Sequence, residues 1–509
     1  MANQLDASVN QRFSSRWALL LSAIGIAVGT GNIWRFPRIV ANSGENGAGG
    51  FLIAWLVFLF LWSVPLIIAE YALGQKYRYG VVGTITKAAG EKFAWMGAFV
   101  AFVATAITFF YSVVVGWVIY YFVRSIFIGL PESDTSAQTI WRDYQDGNWP
   151  LLTHAVVMVI GTLVIWKGIK SIEKVNKILI PTLLAIVVLA VIRSLTLPNA
   201  FEGIKYLFTL DVADLTKSST WIQALTQNAW DTGAGWGLFL TYAAYMKREH
   251  GAVKNAFTTG IGNNIVSMLA ALMVFGTAFS VCTTQMNKTP EEIIGILQTS
   301  GEAGTGITFI WMPVLFEKMS VVGRPLCILF FLGLMFAGFS SLIAMLELPT
   351  RVFVDAGFKR PKAIALVIGV SYLVGIPSAI NTKFLVNQDF VWGVALMISG
   401  GFVAFTIIRQ GAKNVRTIDL VEKTDWKLHF GWDYIISYFV PVAAFCLMCW
   451  WLWVVAEEGW YNPMKFNPFL TESTIACLIQ WTIILGLFII FNKWLANRMV
   501  VKTELPPAD

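Results

Sequence analysis

Charge is scarce in this chain. Of 509 residues only 13% are Asp, Glu, Lys or Arg, about half the share of a typical soluble domain. Fifty-seven per cent are hydrophobic and the mean hydropathy is +0.66. Such a composition cannot clothe a water-facing surface and excludes an ordinary soluble protein. Histidine is scarcer still: His154, His250 and His429 are the only three, each near the end of an apolar run. No HExxH, GxSxG or GxGxxG pattern occurs. Zinc, serine-nucleophile and dinucleotide chemistry thus lose their usual signatures, and the chain is not read as an enzyme. The five cysteines (Cys282, Cys327, Cys446, Cys449, Cys477) lie in or beside apolar runs. Cys446 and Cys449 have CxxC spacing without a second pair, which favours packing over a metal or redox site.

Long apolar runs are present in abundance. About twelve reach the roughly 20 residues a membrane-spanning helix needs. They lie near 17–41, 50–74, 94–128, 152–168, 177–196, 220–246, 253–283, 320–354, 361–379, 388–408, 431–455 and 473–497. The expected fold class is therefore an all-α polytopic membrane protein. Arg12 and Arg16 precede a first span far longer than a signal-peptide core, so no cleavable signal is expected. Basic residues follow alternate spans: Lys76, Arg78, Lys87 and Lys92; Lys167, Lys170, Lys174 and Lys177; Lys247, Arg248 and Lys254; Lys359, Arg360 and Lys362. The intervening loops carry Glu132, Asp134, Asp143, Asp146, Glu291, Glu292 and Glu302. This asymmetry predicts both termini in the cytoplasm and a cell-membrane location. The net charge of +7 thus reflects topology and does not imply a nucleic-acid partner.

Two of the predicted spans are interrupted. The first reads Gly25-Ile26-Ala27-Val28-Gly29-Thr30-Gly31-Asn32-Ile33-Trp34-Arg35-Phe36-Pro37. Glycine weakens a helix, and unwound backbone inside a membrane is tolerated only where it is buried in protein or lines a polar cavity. The restarting half would offer the amides of Thr30 and Gly31 to a carboxylate, and the ending half carbonyls near Gly25, Ala27 and Val28 to a cation. A close helix crossing through small residues is the plainer alternative, but Asn32 and Arg35 beside the motif favour a site. The second break is Gly233-Ala234-Gly235-Trp236-Gly237, preceded by Asp231. A carboxylate deep in a span is costly unless paired, so Asp231 is a candidate functional residue. Trp230 and Trp236 suit pocket walls or core equally. Ser340 and Ser341, the amides Asn263 and Asn264, and Glu70 are further polar candidates in spans; Glu70 is suited to the free N–H groups of a broken helix. Two interrupted spans in corresponding positions point to a secondary transporter.

The first motif, ending Gly-Asn-Ile-Trp-Arg-Phe-Pro, closely resembles the first helix of the neurotransmitter:sodium symporter family, whose bacterial members carry amino acids. The likeness continues through Glu45 to Phe51, Pro65 to Gly74, Trp221 to Tyr245 and Ala337 to Leu346, and covers nearly the whole chain. It implies two five-helix inverted repeats over 17–410, with helices 1 and 6 unwound. Two further helices would fill 411–498, between tails at 1–16 and 499–509. It implies a substrate carboxylate on the amides of Thr30 and Gly31 and the hydroxyl of Tyr111, with its amino group on the carbonyls of Ala27 and Trp230. A first sodium would use Ala27, Asn32, Asn263 and Asp231. A second would use the carbonyls of Gly25, Val28 and Ala337 and the hydroxyls of Ser340 and Ser341. Ile107, Gly233, Trp236, Ser341 and Met345 would line the side-chain pocket under a Trp230 lid. Arg35 and Asp389 would form an outer gate, and Asp355 and Tyr245 an inner one, with Arg12 near it.

Two departures from the family pattern carry information. Gly29 stands where monoamine carriers of the family have an aspartate, which favours a substrate with its own carboxylate. Asp231 stands where a serine or threonine is common. Chloride-dependent members hold chloride with a helix 2 tyrosine, the helix 6 glutamine, that hydroxyl, and the helix 7 asparagine and serine. Gln227, Asn263 and Ser267 match, whereas Trp55 and Asp231 replace the other two. A chloride beside a carboxylate at low dielectric would be repelled. The expected function is sodium-coupled symport of a neutral amino acid with an apolar or aromatic side chain, independent of chloride, with membrane lipid as the surrounding partner. Asp231 is also the residue on which any proton coupling would depend. An organic amine or betaine using Asp231, or a transporter-like sensor or channel, are the alternatives. The short tails argue against a sensor, and the confinement of polar groups to one depth argues against a channel.

Overall fold

The computed structural model describes residues 11–44, 46–421, 425–457, 471 and 473–500. The expected tail residues before 11 and after 500, and Glu45 of the loop motif, lie outside the described residues. Among the described residues the ordered elements are helices, with no strand. That follows from the apolar runs, since a helix satisfies its own backbone where water is absent.

The principal helices are α1 (Arg16–Ala27), α2 (Thr30–Asn42), α3 (Gly49–Tyr77, with a π-turn at Leu59–Ser63), α4 (Ala94–Phe127), α5 (Trp149–Ile165) and α6 (Ile169–Leu195). They continue as α7 (Ser218–Asp231), α8 (Leu238–Ala243), α9 (Ala252–Met286), α10 (Gly323–Asp355), α11 (Arg360–Ile380), α12 (Thr382–Gln410), α13 (Gly431–Trp453) and α14 (Thr474–Ile490). Eight helices among the described residues are long and apolar enough to cross a membrane, and up to eleven if each bent pair is one span. The sequence-based count of twelve is not reached on that criterion. The 220–246 stretch is two short helices, α7 and α8, separated by residues 232–237. The most apolar window of α4 is 83% buried and that of α13 only 28%, which puts α4 at the centre and α13 at the lipid-facing edge. α4 and α10 pack along each other, with α6 against α10 and α12 against α4.

The first break lies between α1 and α2, which bend by 46°. Val28 leaves the helix at ψ 92° and Gly29 is extended. Gly25 lies within α1, where an added Cβ would come 3.1 Å from Ser340 Cβ and 3.2 Å from Ile180 Cδ1. The close-crossing reading therefore holds for Gly25, beside a break that begins three residues later.

The second break is built on backbone that only glycine adopts readily. Gly233, Gly235 and Gly237 have φ of +70°, +84° and +79°. The freed N–H groups go where the sequence suggested: Gly235 N and Leu240 N donate to the fully buried Glu70 at 2.6 and 3.0 Å. On the other side of the break, Thr232 Oγ1 donates to Asn228 O at 2.8 Å and to Ser63 Oγ at 3.0 Å. Asn228 Nδ2 donates to Trp55 O at 2.8 Å, which ties α7 to α3. Removing a charged acceptor from buried donors costs about 1.5–3 kcal/mol. Glu70→Ala is accordingly expected to lower the melting temperature of the solubilised protein clearly, while an exposed control such as Glu202→Ala leaves it unchanged.

Candidate functional site

The two breaks face each other. A Cβ on Gly31 would lie 3.5 Å from Asp231 Oδ1. A small cavity of about 30 Å³ sits between them, lined among others by Ala27, Gly31, Tyr111, Trp230, Asp231, Trp236, Ser341 and Met345. Gly233 also lines it, with its Cβ position 3.1 Å from Ile26 Cγ2, so its glycine is explained by backbone conformation more than by added room. Ile107, one turn before Tyr111, is fully buried and does not line this cavity.

On the α2 side, Thr30 N and Thr30 Oγ1 both donate to Tyr111 Oη, at 3.2 and 3.3 Å. Gly29 N donates to Asn32 Oδ1 at 2.8 Å. Gly31 belongs to the first turn of α2, whose N–H groups have no acceptor within the helix. Two anion-seeking groups thus converge, the positive end of α2 and the Tyr111 hydroxyl, which the Thr30 amide joins.

Behind this lies a buried amide and carboxylate cluster. Asn32 Nδ2 donates to Asn263 Oδ1 at 2.8 Å and to Ser267 Oγ at 2.7 Å. Ser267 Oγ and Asn263 Nδ2 donate to Asp231 Oδ2 at 2.9 and 3.3 Å. Asp231 Oδ1 is buried with no protein hydrogen-bond partner. An unsatisfied carboxylate oxygen in the interior calls for a cation or a donor. The Ala27 carbonyl accepts from Gly29 N at 3.1 Å beside this cluster. Asn264 Oδ1 accepts from Asn263 Nδ2 at 3.2 Å.

A second oxygen cluster joins α1 to α10. Ser340 Oγ donates to Val28 O at 3.3 Å and to Ala337 O at 2.9 Å. Ser341 Oγ donates to Gly25 O at 3.1 Å and to Ile26 O at 3.2 Å. All these donors are neutral oxygens, a set that suits a hard monovalent cation. Among the described residues no three His, Cys, Asp or Glu side chains gather to hold a transition metal.

Above the small cavity lies a larger one of about 260 Å³, which shares Gly31, Tyr111 and Trp230 with it. Arg35 and Asp389 both line the larger cavity, and the Arg35 guanidinium carbon sits 5.2 Å from the centre of the Trp230 ring. Trp230 and Trp236 meet edge to face with centroids 5.5 Å apart. Trp236 Nε1 donates to Ala229 O at 3.1 Å, which fixes that ring to its own break.

At the opposite end, Asp355 and Tyr245 do not bond one another directly. Asp355 pairs with Arg351 on its own helix at 2.9 Å and accepts from Gly80 N at 2.5 Å. Tyr245 Oη donates to Glu347 Oε1 at 2.7 Å, and Glu347 pairs with Arg360 at 2.5 Å. Arg351 lies over the Tyr245 ring at 5.0 Å and so joins the two expected residues. Sequence reasoning missed Glu347 and Arg351. Their spacing with Asp355, every fourth residue in an apolar helix, was the available signal.

Two broken helices that meet around oxygen-lined cavities define a secondary transporter. The chain belongs to the sodium:neurotransmitter symporter family, whose family model matches residues 10–145 and 138–501. It is 31% identical over 377 residues to an uncharacterized sodium-dependent transporter of Methanocaldococcus jannaschii, covering 72% of this chain and 74% of that protein. It is 26% identical to the sodium-dependent serotonin transporter of Drosophila melanogaster, covering 94% and 84%. Among solved structures, the transporter MhsT in complex with L-phenylalanine superposes with a TM-score of 0.73 at 25% identity, over 86% of this chain and 99% of MhsT. The protein is thus a membrane-embedded sodium-dependent symporter and not an enzyme.

Gly29 has an ordinary extended conformation, so its side chain is absent for reasons of space. A Cβ there would lie 2.8 Å from Ser341 Oγ and 3.1 Å from Tyr111 Oη. Gly29→Asp is expected to displace both hydroxyls and abolish sodium-dependent stabilisation by amino acids in a thermal-shift assay. Retention of that stabilisation would show that the crowding is relieved elsewhere.

Proposed function

We propose that the protein couples sodium entry to uptake of a neutral amino acid with an apolar or aromatic side chain. The observation that carries this reading is the meeting of an anion-seeking helix start, at Thr30, Gly31 and Tyr111, with a buried carboxylate and amide cluster across a cavity. The substrate carboxylate docks on the former and its ammonium on the carbonyls of Ala27 and Trp230. A first sodium binds Ala27, Asn32, Asn263 and Asp231, and a second binds Gly25, Val28, Ala337, Ser340 and Ser341. Met345 and Trp236 bound the side chain, and Trp230 closes over it. Arg35 with Asp389 and the Asp355–Tyr245 region act as outer and inner gates, with both termini in the cytoplasm. The phenylalanine bound by MhsT supports the side-chain class.

Coupling requires each ligand to favour the other's bound state. Asn32 supplies that link, because it caps the start of α2 at Gly29 and also touches Asn263 and Ser267. Asn32→Ala is expected to weaken substrate and sodium binding together, each by about tenfold. A loss confined to one ligand contradicts the assignment.

Asp231 takes the place of chloride as the negative charge beside the first sodium. Trp55 stands where the family's chloride ligand is a tyrosine hydroxyl, and its indole packs on Phe36 with ring centroids 4.5 Å apart. Uptake into proteoliposomes is expected to be unchanged when gluconate replaces chloride, and Asp231→Ser is expected to make it chloride-dependent. Uptake that stops without chloride in the parent protein overturns the reading. The partnerless Asp231 Oδ1 favours one other substrate class, an organic amine or betaine that uses this oxygen as its counter-ion. A simple amine would bind there without a carboxylate of its own, whereas a betaine brings one.

A further inference from the structure

Gly393 lies inside α12, one turn after Asp389, in helical backbone where no special conformation calls for glycine. Glycine there weakens the helix relative to alanine, so its presence needs another cause. A Cβ at this position would meet the indole of Trp230 at 2.8 Å (Cζ3), 3.4 Å (Cε3) and 3.7 Å (Cη2), and these are the three nearest atoms. The side chain that Gly393 lacks would therefore occupy the place of one neighbour, the benzo edge of that ring.

The opposite edge of the same indole faces a second glycine, Gly31, with room for a methyl group between them. A Cβ on Gly31 would lie 3.8 Å from Trp230 Cδ1 and 3.8 Å from Trp230 Nε1. The ring thus spans the gap between α2 and α12, with its pyrrole edge at Gly31 and its benzo edge at Gly393. Arg35 lies 5.2 Å from its centre, and Trp236 packs against it edge to face. In this position Trp230 borders both the outer cavity of about 260 Å³ and the inner one of about 30 Å³. A third cavity of about 270 Å³ touches both Trp230 and Gly393, so the ring has space into which it can be displaced.

We propose that Gly393 is the positioning residue for Trp230, and that its missing side chain lets the indole lie across the α2–α12 gap and separate the inner cavity from the outer. This rests on the reading of Trp230 as the closing ring. A methyl group at residue 393 pushes the indole off its seat and leaves the inner cavity open. A phenyl ring at residue 230 is shorter along that axis and leaves room for the methyl group. Gly393 and Trp230 are therefore a matched pair.

The test uses the full-length protein in detergent and sodium, with Met345→Cys as a reporter at the wall of the inner cavity. The two exposed native cysteines are removed by Cys446→Ala and Cys449→Ala. The probe is a small cationic methanethiosulfonate, and the readout is its rate of reaction with the reporter. Gly393→Ala is expected to speed labelling about tenfold, as overpacking displaces the ring, with Gly393→Ser behaving alike. Adding Trp230→Phe to Gly393→Ala is expected to return the rate to within about twofold of the parent, which only coupling between the two residues produces. Alanine is the better helix former, so a monodisperse Gly393→Ala protein is expected. If Trp230→Ala labels fast and Gly393→Ala does not, the spacing role of Gly393 is overturned and the closing role of Trp230 stands. Fast Gly393→Ala labelling that Trp230→Phe fails to reverse also overturns it. If Trp230→Ala labels no faster than the parent, the closing role fails, and the proposal with it.

Discussion

A helix that stops inside an apolar bundle leaves N–H and C=O groups that water cannot reach, and each such group must find a partner or be lost to the fold. The site of this protein is a set of answers to that constraint. Glu70 takes two N–H groups of the second break. Asn32 takes the Gly29 N–H at the first, and Ser340 and Ser341 reach the carbonyls that α1 leaves behind. Among the groups at the two breaks, the first turn of α2 and Asp231 Oδ1 remain incompletely satisfied and can bind something else.

That arrangement explains how a ligand can act on the bundle as a whole. The oxygen clusters join elements from different parts of the chain: α1 with α10 through the two serines, and α2 with α7 and α9 through Asn32, Asn263, Ser267 and Asp231. A cation placed in either cluster would draw these elements together. Its binding energy would therefore depend on their relative position, which is the requirement for shifting a conformational equilibrium. At the far end Arg351 and Arg360 hold α10 to the chain near Gly80 and to the end of α5, through Asp355, Arg78 O, Glu347 and Ile165 O. These fully buried ion pairs would be costly to separate unless each charge found a new partner.

Much of this was legible in the sequence, for physical reasons. Glycines, an asparagine and an arginine within thirteen residues of an otherwise apolar run have few uses in hydrocarbon, and Asp231 and Glu70 are too costly there to be incidental. What sequence could not supply was which glycine does what. Gly25 serves a helix crossing, Gly29 makes room for two hydroxyls, Gly233 and Gly235 permit left-handed backbone, and Gly393 borders an indole 163 positions earlier in the chain. The same residue type answers four different constraints, and only neighbours distant in sequence tell them apart. Eleven spans at most pass by length and hydropathy because the 220–246 span is divided into α7 and α8 at the break its glycines had marked. At the inner end the sequence named Asp355 and Tyr245 but not the partners they bond, Arg351 and Glu347.

The central claim is that the broken helices bind an amino acid and sodium together. Its most direct test is the thermal stability of the purified, solubilised protein with each of the twenty amino acids and simple amines, in sodium gluconate and in potassium gluconate. A ligand that binds the native state alone raises the melting temperature. The account predicts stabilisation by one or more neutral amino acids in sodium and not in potassium. Equal stabilisation in both salts, or stabilisation by amines alone, would contradict it.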